Sequence, residues 1–227
     1  MNDSRTPVWL VTGAAGALGS ALVRQVMAGG ADCIALDRQA GALDALHDQL
    51  QESLGRAPAL MPMDLAGAGP EDYQRLAEAV EAEFGRIDVL VHNAATFQAL
   101  RPLLQQEPGE WQEIIQTSLT APWMLSAVLS PLMSAGSAIV FVADRHCLEH
   151  PGGWAAFGVA QAGRRQLARV LECDRARNGP RVIEVDPGPF YSRLRVAAWP
   201  SDSPEHLPSA DSAAEGVREA VEQSLHS

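Results

Sequence analysis

Short apolar runs alternate along the chain with longer stretches in which apolar residues recur every three or four positions. The runs Val8 to Thr12, Asp32 to Leu36, Ala59 to Met63, Ile87 to Val91, Ala138 to Val142 and Arg181 to Val185 read as strands. The periodic stretches predict helices over 17–28, 40–54, 70–84, 109–134, 154–177 and 210–225. Pro122 falls inside 109–134 and is expected to bend that helix, because it removes a backbone donor. Residues 187–208, rich in Pro, Ser and Asp, read as a loop, and so does the segment between Val142 and Trp154. Such alternation calls for one α/β domain over 1–227, with a six-stranded parallel sheet and helices on both faces.

The turn after the first strand carries the first candidate chemistry. Gly13, Gly16 and Gly19 stand between a strand and a helix. There a tight turn brings backbone N–H groups at a helix N-terminus up to a pyrophosphate. Ala14, Ala15 and Ala17 keep the approach open. This makes the domain a doubly wound Rossmann type. Asp37 ends the second strand, about 20 residues beyond the turn, where an acid accepts from a ribose hydroxyl. The same charge repels a 2′-phosphate, so NAD is expected over NADP, although the adjacent Arg38 offers a partner for that phosphate.

Composition narrows the reading. The net charge of −11 argues against nucleic acid, which needs clustered cations. No apolar run is long enough to cross a bilayer, and the first residues have no apolar signal core. A cytoplasmic location is expected, with Cys33, Cys147 and Cys173 as reduced thiols. All 17 basic residues are arginine, and the only tyrosines are Tyr73 and Tyr191.

With these residues on the page, the chain resembles the short-chain dehydrogenase/reductase superfamily, near its YciK-like bacterial branch. Beyond the glycine turn, Met63-Asp64-Leu65 is similar to the family's adenine-contacting segment. Val91-His92-Asn93-Ala94-Ala95 resembles its Asn-Asn-Ala-Gly signature, with departures at His92 and Ala95. Asp186-Pro187-Gly188 is similar to its turn beside the nicotinamide, and Ser192 stands near its carboxamide-holding threonine. The resemblance implies cofactor contacts at Gly13, Gly16, Leu18, Gly19, Asp37, Asp64, Leu65, Asn93, Ala94, Pro187 and Gly188. The family's usual seventh strand is not found after the last helix.

The family's catalytic positions are all changed. The resemblance puts Ser118 in place of its asparagine, Asp144 in place of serine, Phe157 in place of tyrosine and Gln161 in place of lysine. A phenol made acidic by a neighbouring lysine is what moves the proton there. Phe157 has none to move, and no lysine exists to assist. The sequence therefore favours a dinucleotide-binding protein that has lost standard hydride transfer, with a binding, sensing or partner role. The alternative is an NAD-dependent oxidoreductase of alcohols or carbonyls that uses substitute groups such as Tyr191, His146 or a protonated Asp144. Asp144, His146, Cys147 and His150 fit no standard zinc spacing, so no metal is expected. Arg164, Arg165 and Arg169 are expected on a helix surface or a subunit contact. A homodimer is expected through helices 109–134 and 154–177, using Ala121, Leu125, Val128, Leu129, Ala160, Leu167 and Val170.

Overall fold

The computed structural model describes residues 5–175 and 177–226. Residues 1–4 and 227, and residue 176 in the expected last turn of helix 154–177, lie outside that range. The strands are β1 (Val8–Thr12), β2 (Asp32–Asp37), β3 (Ala59–Pro62), β4 (Val89–His92), β5 (Ala138–Val142) and β6 (Arg181–Val185). They form one parallel sheet in the order β3-β2-β1-β4-β5-β6. All five pairings are parallel, and β5 and β6 run in step from Ala138 opposite Arg181 to Val142 opposite Val185. The chain order reverses between β1 and β4, and at such a reversal a crevice opens beyond the carboxyl ends of the strands.

Side chains alternate between the two faces of the sheet, and each face has its own core. Trp9, Val11, Ala35, Val91 and Val140 pack on one side with α1 (Ala17–Ala28), α2 (Ala40–Leu54) and α9 (Ala210–His226). Leu10, Ile34, Leu36, Leu90 and Phe141 pack on the other, against α3 (Pro70–Phe84), α5 (Ala121–Leu129) and α7 (Ala155–Asp174). Burial of this apolar area is the main stabilising term. The six-stranded parallel sheet with helices on both faces matches the sequence expectation, and most element bounds do so within a residue or two.

Three local readings are corrected. The stretch 109–134 is not one bent helix. It divides into α4 (Pro108–Ile115), a π-helical turn (Gln116–Thr120) and α5, with a 3₁₀ turn at Ser130–Leu132. Pro122 has no N–H for the carbonyl four residues back, and the wider turn is the accommodation. There the Ala121 amide donates to Gln116, five residues back. The loop after β5 contains α6 (Arg145–Glu149), and the loop after β6 contains α8 (Arg193–Ala198). Each opens on a capping side chain: Asp144 Oδ1 accepts from the Cys147 amide at 3.2 Å, and Ser192 Oγ from the Arg195 amide at 3.1 Å.

Four of the residues expected at a subunit contact, Ala121, Leu125, Leu129 and Ala160, are buried inside this chain's own core. The outward apolar residues on α5 and α7 are Trp123, Val159 and Val170. No helix among the described residues is long and apolar enough to cross a membrane.

Candidate functional site

A cavity of about 880 Å³ lies across the chain reversal at the carboxyl ends of the strands. Its cradle is built from backbone. Gly13 has φ +67°, and a Cβ there would lie 2.9 Å from Ala94 Cα. A Cβ on Gly19 would overlap the Gly13 carbonyl, lying 2.8 Å from its carbon and 2.9 Å from Ala14 Cα. The β1 turn and the end of β4 are therefore in direct contact, and polar groups rivet them. Asn93 donates from its side-chain amide to the Thr12 and Gly13 carbonyls at 3.0 and 3.1 Å. Thr12 Oγ1 donates to the Val91 carbonyl and accepts from the Asn93 and Ala94 amides. Helix α1 opens at Gly16 without a side-chain cap, so its first N–H groups face the cavity unspent.

The adenosine side follows from β2 and β3. Asp37 is nearly buried, and its carboxylate accepts from the Ala15 and Gln39 amides, each at 3.0 Å. Its neighbour Arg38 pairs with Glu113 at 2.9 Å. Asp64, Leu65 and Leu18 line the same wall, and Asp64 also accepts from the Ala66 amide at 3.2 Å. Asn93, Ala94, Pro187 and Gly188 line the cavity toward β4 and β6. A cradle without side chains, donors at a helix start and an acid at the end of β2 fit a dinucleotide. When bound, such a group would supply hydride chemistry, and these residues would hold it.

At the opposite end lie three of the four positions that the resemblance matches to the family's catalytic residues, Asp144, Phe157 and Gln161. Phe157 is 1 % exposed and Gln161 4 %, both on the inward face of α7 and both lining the cavity. The Phe157 ring packs against Phe97 at 5.3 Å and Trp154 at 5.5 Å. No hydrogen bond holds the Gln161 amide among the described residues. Ser118 is fully buried inside the π turn, and its Oγ has no partner there. Asp144, just beyond β5, is half-buried. Burial raises its carboxyl above the usual range, and Asp186 adds to the rise while the Cys147 amide opposes it.

The substitute groups separate. His146 lines the cavity from α6, with its ring 5.1 Å from Trp199. Tyr191 does not line it: the residue is 38 % exposed, and its amide donates to the Pro208 carbonyl at 3.1 Å. Cys147 is buried with its thiol pushed up, mainly by desolvation and then by Asp144. Among the described residues no three His, Cys, Asp or Glu side chains are grouped to hold a metal ion.

Arg164 is the residue the sequence reading misplaced. It is 2 % exposed, lines the cavity and donates to the carbonyls of His92 and Ala94, at 3.2 Å for Ala94. Burial lowers its guanidinium to about 10, with Glu184 opposing, so it remains charged at neutral pH. The buried residues of α7 include Phe157, Ala160, Gln161, Arg164 and Ala168, an i, i+3, i+4, i+7, i+11 stripe. That spacing was the available signal. Arg165 and Arg169 are exposed, as expected.

Comparison with known proteins adds three findings. The short chain dehydrogenase family model matches residues 7–202. Among curated proteins, the uncharacterized oxidoreductase YciK of Escherichia coli K12 is 28% identical over 200 residues, covering 87% of this chain and 79% of that protein. D-threitol dehydrogenase of Mycolicibacterium smegmatis is 30% identical over 194 residues, covering 85% and 73%. Among solved structures, a short chain dehydrogenase of Shigella flexneri complexed with NADP superposes with a TM-score of 0.85 at 26% identity. It covers 93% of this chain and 87% of that one.

Proposed function

The chain belongs to the short-chain dehydrogenase family, near its YciK-like branch, and from that premise we propose that it binds a nicotinamide dinucleotide without the family's tyrosine-dependent proton transfer. Phe157 carries the reading: a buried ring with no exchangeable proton lines the cavity where the resemblance puts the family's tyrosine, with Gln161 on the same wall and no lysine in the chain. The cradle is meanwhile retained. The role that remains is binding, sensing or partnering another protein, in a cytoplasmic setting that suits three free cysteines.

Asp37 supports NAD over NADP, since its carboxylate would repel a 2′-phosphate and Arg38 is already held by Glu113. Calorimetric titration with NADH and NADPH is the test. We expect NADH to bind about ten-fold more tightly and Asp37→Ser to erase the difference. Absence of binding by both dinucleotides overturns the reading.

A second reading is hydride transfer to or from an alcohol or carbonyl. Asp144 and His146 favour it, because both line the cavity and burial raises the Asp144 carboxyl above the usual carboxylate range. Turnover with NADH that survives Phe157→Ala and is lost in Asp144→Asn or His146→Ala would replace the first reading with this one.

For assembly, we infer a homodimer through the outward faces of α5 and α7. Trp123, half exposed on α5, and Val159 and Val170 on α7 offer apolar area that a two-fold contact covers and closes. Light scattering should give twice the chain mass, falling to the single-chain mass in Trp123→Glu. A single-chain mass for the unaltered protein would refute the contact.

A further inference from the structure

The nicotinamide end of the cavity carries paired negative charge. Asp144 follows β5 and Asp186 follows β6, two strands whose registers end with Val142 opposite Val185. The Ala143 amide bonds to the Val185 carbonyl at 2.9 Å, which keeps the two exits side by side. Both aspartates line the cavity, and the Asp186 charge adds to the burial that raises the Asp144 carboxyl. Gln161, a buried residue whose side-chain amide has no hydrogen-bond partner among the described residues, lines the same cavity and contributes polarity without charge. With the adenosine half over β2 and β3 and the pyrophosphate at the β1 turn, the remaining half of a dinucleotide extends over β4, β5 and β6.

Resting on the dinucleotide reading above, we propose that this site holds the oxidised, positively charged nicotinamide ring in preference to the reduced, neutral one. The two forms differ by one positive charge on that ring and otherwise share the contacts of the adenosine half. Asp37 and Asp64 therefore act on both alike, whereas Asp144 and Asp186 act on the difference.

The cations around the cavity do not cancel this. Arg195 is held by Asp202 at 2.5 Å and stacked on Trp199, and Arg38 is held by Glu113. Arg164 is fixed against the β4 carbonyls, and Arg193 is exposed on α8. Arg145 approaches Asp186 at 3.9 Å with more than half of its side chain in solvent, where its charge is screened. His146 is exposed on α6. The balance at the ring is set by two carboxylates with partial compensation. In a half-buried site a unit charge a few ångströms away changes affinity on the order of ten-fold.

The preference also gives a binding protein something to report. A site that retains NAD⁺ and releases NADH reads the redox state of the dinucleotide pool without turning it over.

The experiment titrates the full chain with NAD⁺, NADH and ADP-ribose, by calorimetry and by NADH fluorescence. NAD⁺ is expected to bind about ten-fold more tightly than NADH. Asp144→Asn, Asp186→Asn and the double variant should reduce that ratio stepwise toward one. ADP-ribose affinity stays constant across the series, and far-UV circular dichroism checks that each variant is folded. Asparagine keeps the acceptor for the Cys147 amide at Asp144, and at Asp186 it keeps an acceptor for one of the two amides, Arg145 and Gly188, that the carboxylate holds. Equal affinity for the two redox forms, tighter NADH, or a ratio unmoved in a folded double variant overturns the inference while leaving dinucleotide binding standing. Failure of all three ligands to bind overturns the dinucleotide reading and the inference with it.

Discussion

Gly19→Ala should unfold or cripple the protein, although it adds one methyl group to a helix. The new Cβ meets the Gly13 carbonyl and Ala14 Cα, which are backbone and cannot swing away. Relief requires α1 to lift off the β1 turn, and Leu22, Val23 and Val26 of the same helix are packed into the core. The cost is about 3 kcal/mol or more, a large share of the 5–15 kcal/mol typical of a domain. Thermal denaturation should show a loss of roughly 6–12 °C, with dinucleotide binding abolished at temperatures where the variant still folds. Gly216→Ala is the matched control. It sits on an exposed part of α9 with nothing within 4 Å of the added Cβ, and should stabilise by about 0.5–1 kcal/mol. A Gly19→Ala midpoint within 2 °C of the parent's would show that the turn is not closely packed.

Arg164→Met should destabilise the fold by about 2–4 kcal/mol, because it leaves two buried carbonyls without donors. The damage falls on the end of β4, where Asn93 and Ala94 form the cavity wall, so cofactor affinity should fall with stability. Arg164→Lys keeps the charge and one contact and should recover part of both. Arg165→Met and Arg169→Met, on the same helix but exposed, should stay within about 0.5 kcal/mol of the parent. Chemical denaturation of the four variants checks the ordering. An Arg164→Met midpoint equal to that of Arg165→Met would mean the buried contacts contribute nothing.

That contrast marks where the sequence stops being legible. The sheet could be read because β1, β2, β4 and β5 are apolar on both faces, and the glycine turn because two backbones meet there. Alternation of strand and helix then left little freedom in topology. Asp144, Phe157 and Gln161 line one cavity, while Ser118 is buried behind it and its neighbour Thr117 reaches the wall. What stayed hidden were exceptions to average chemistry. An arginine reads as surface because burying its charge is costly, and Arg164 is buried where the carbonyls of His92 and Ala94, at and just past the end of β4, accept from its terminal nitrogens. Helices α6 and α8 are too short for periodicity to reveal, although Asp144 and Ser192 are capping residues placed where a helix begins. Tyr191 follows Pro187-Gly188 closely in sequence, yet its backbone is tied to Pro208 and it stays out of the cavity.

The π turn at Gln116–Thr120 acts on α5 as a phase shift. One residue more than an α-helical turn advances the following helix by about 100° around its axis. In that phase Ala121, Leu125 and Leu129 form a single line against the sheet, while Trp123 points away from it. Deleting one residue from the turn would therefore not be a local event. It would rotate the whole of α5, carry its apolar line off the core and swing Trp123 toward the sheet. The wide turn is a phase-setting element, and the outward face of α5 exists only in the phase it sets.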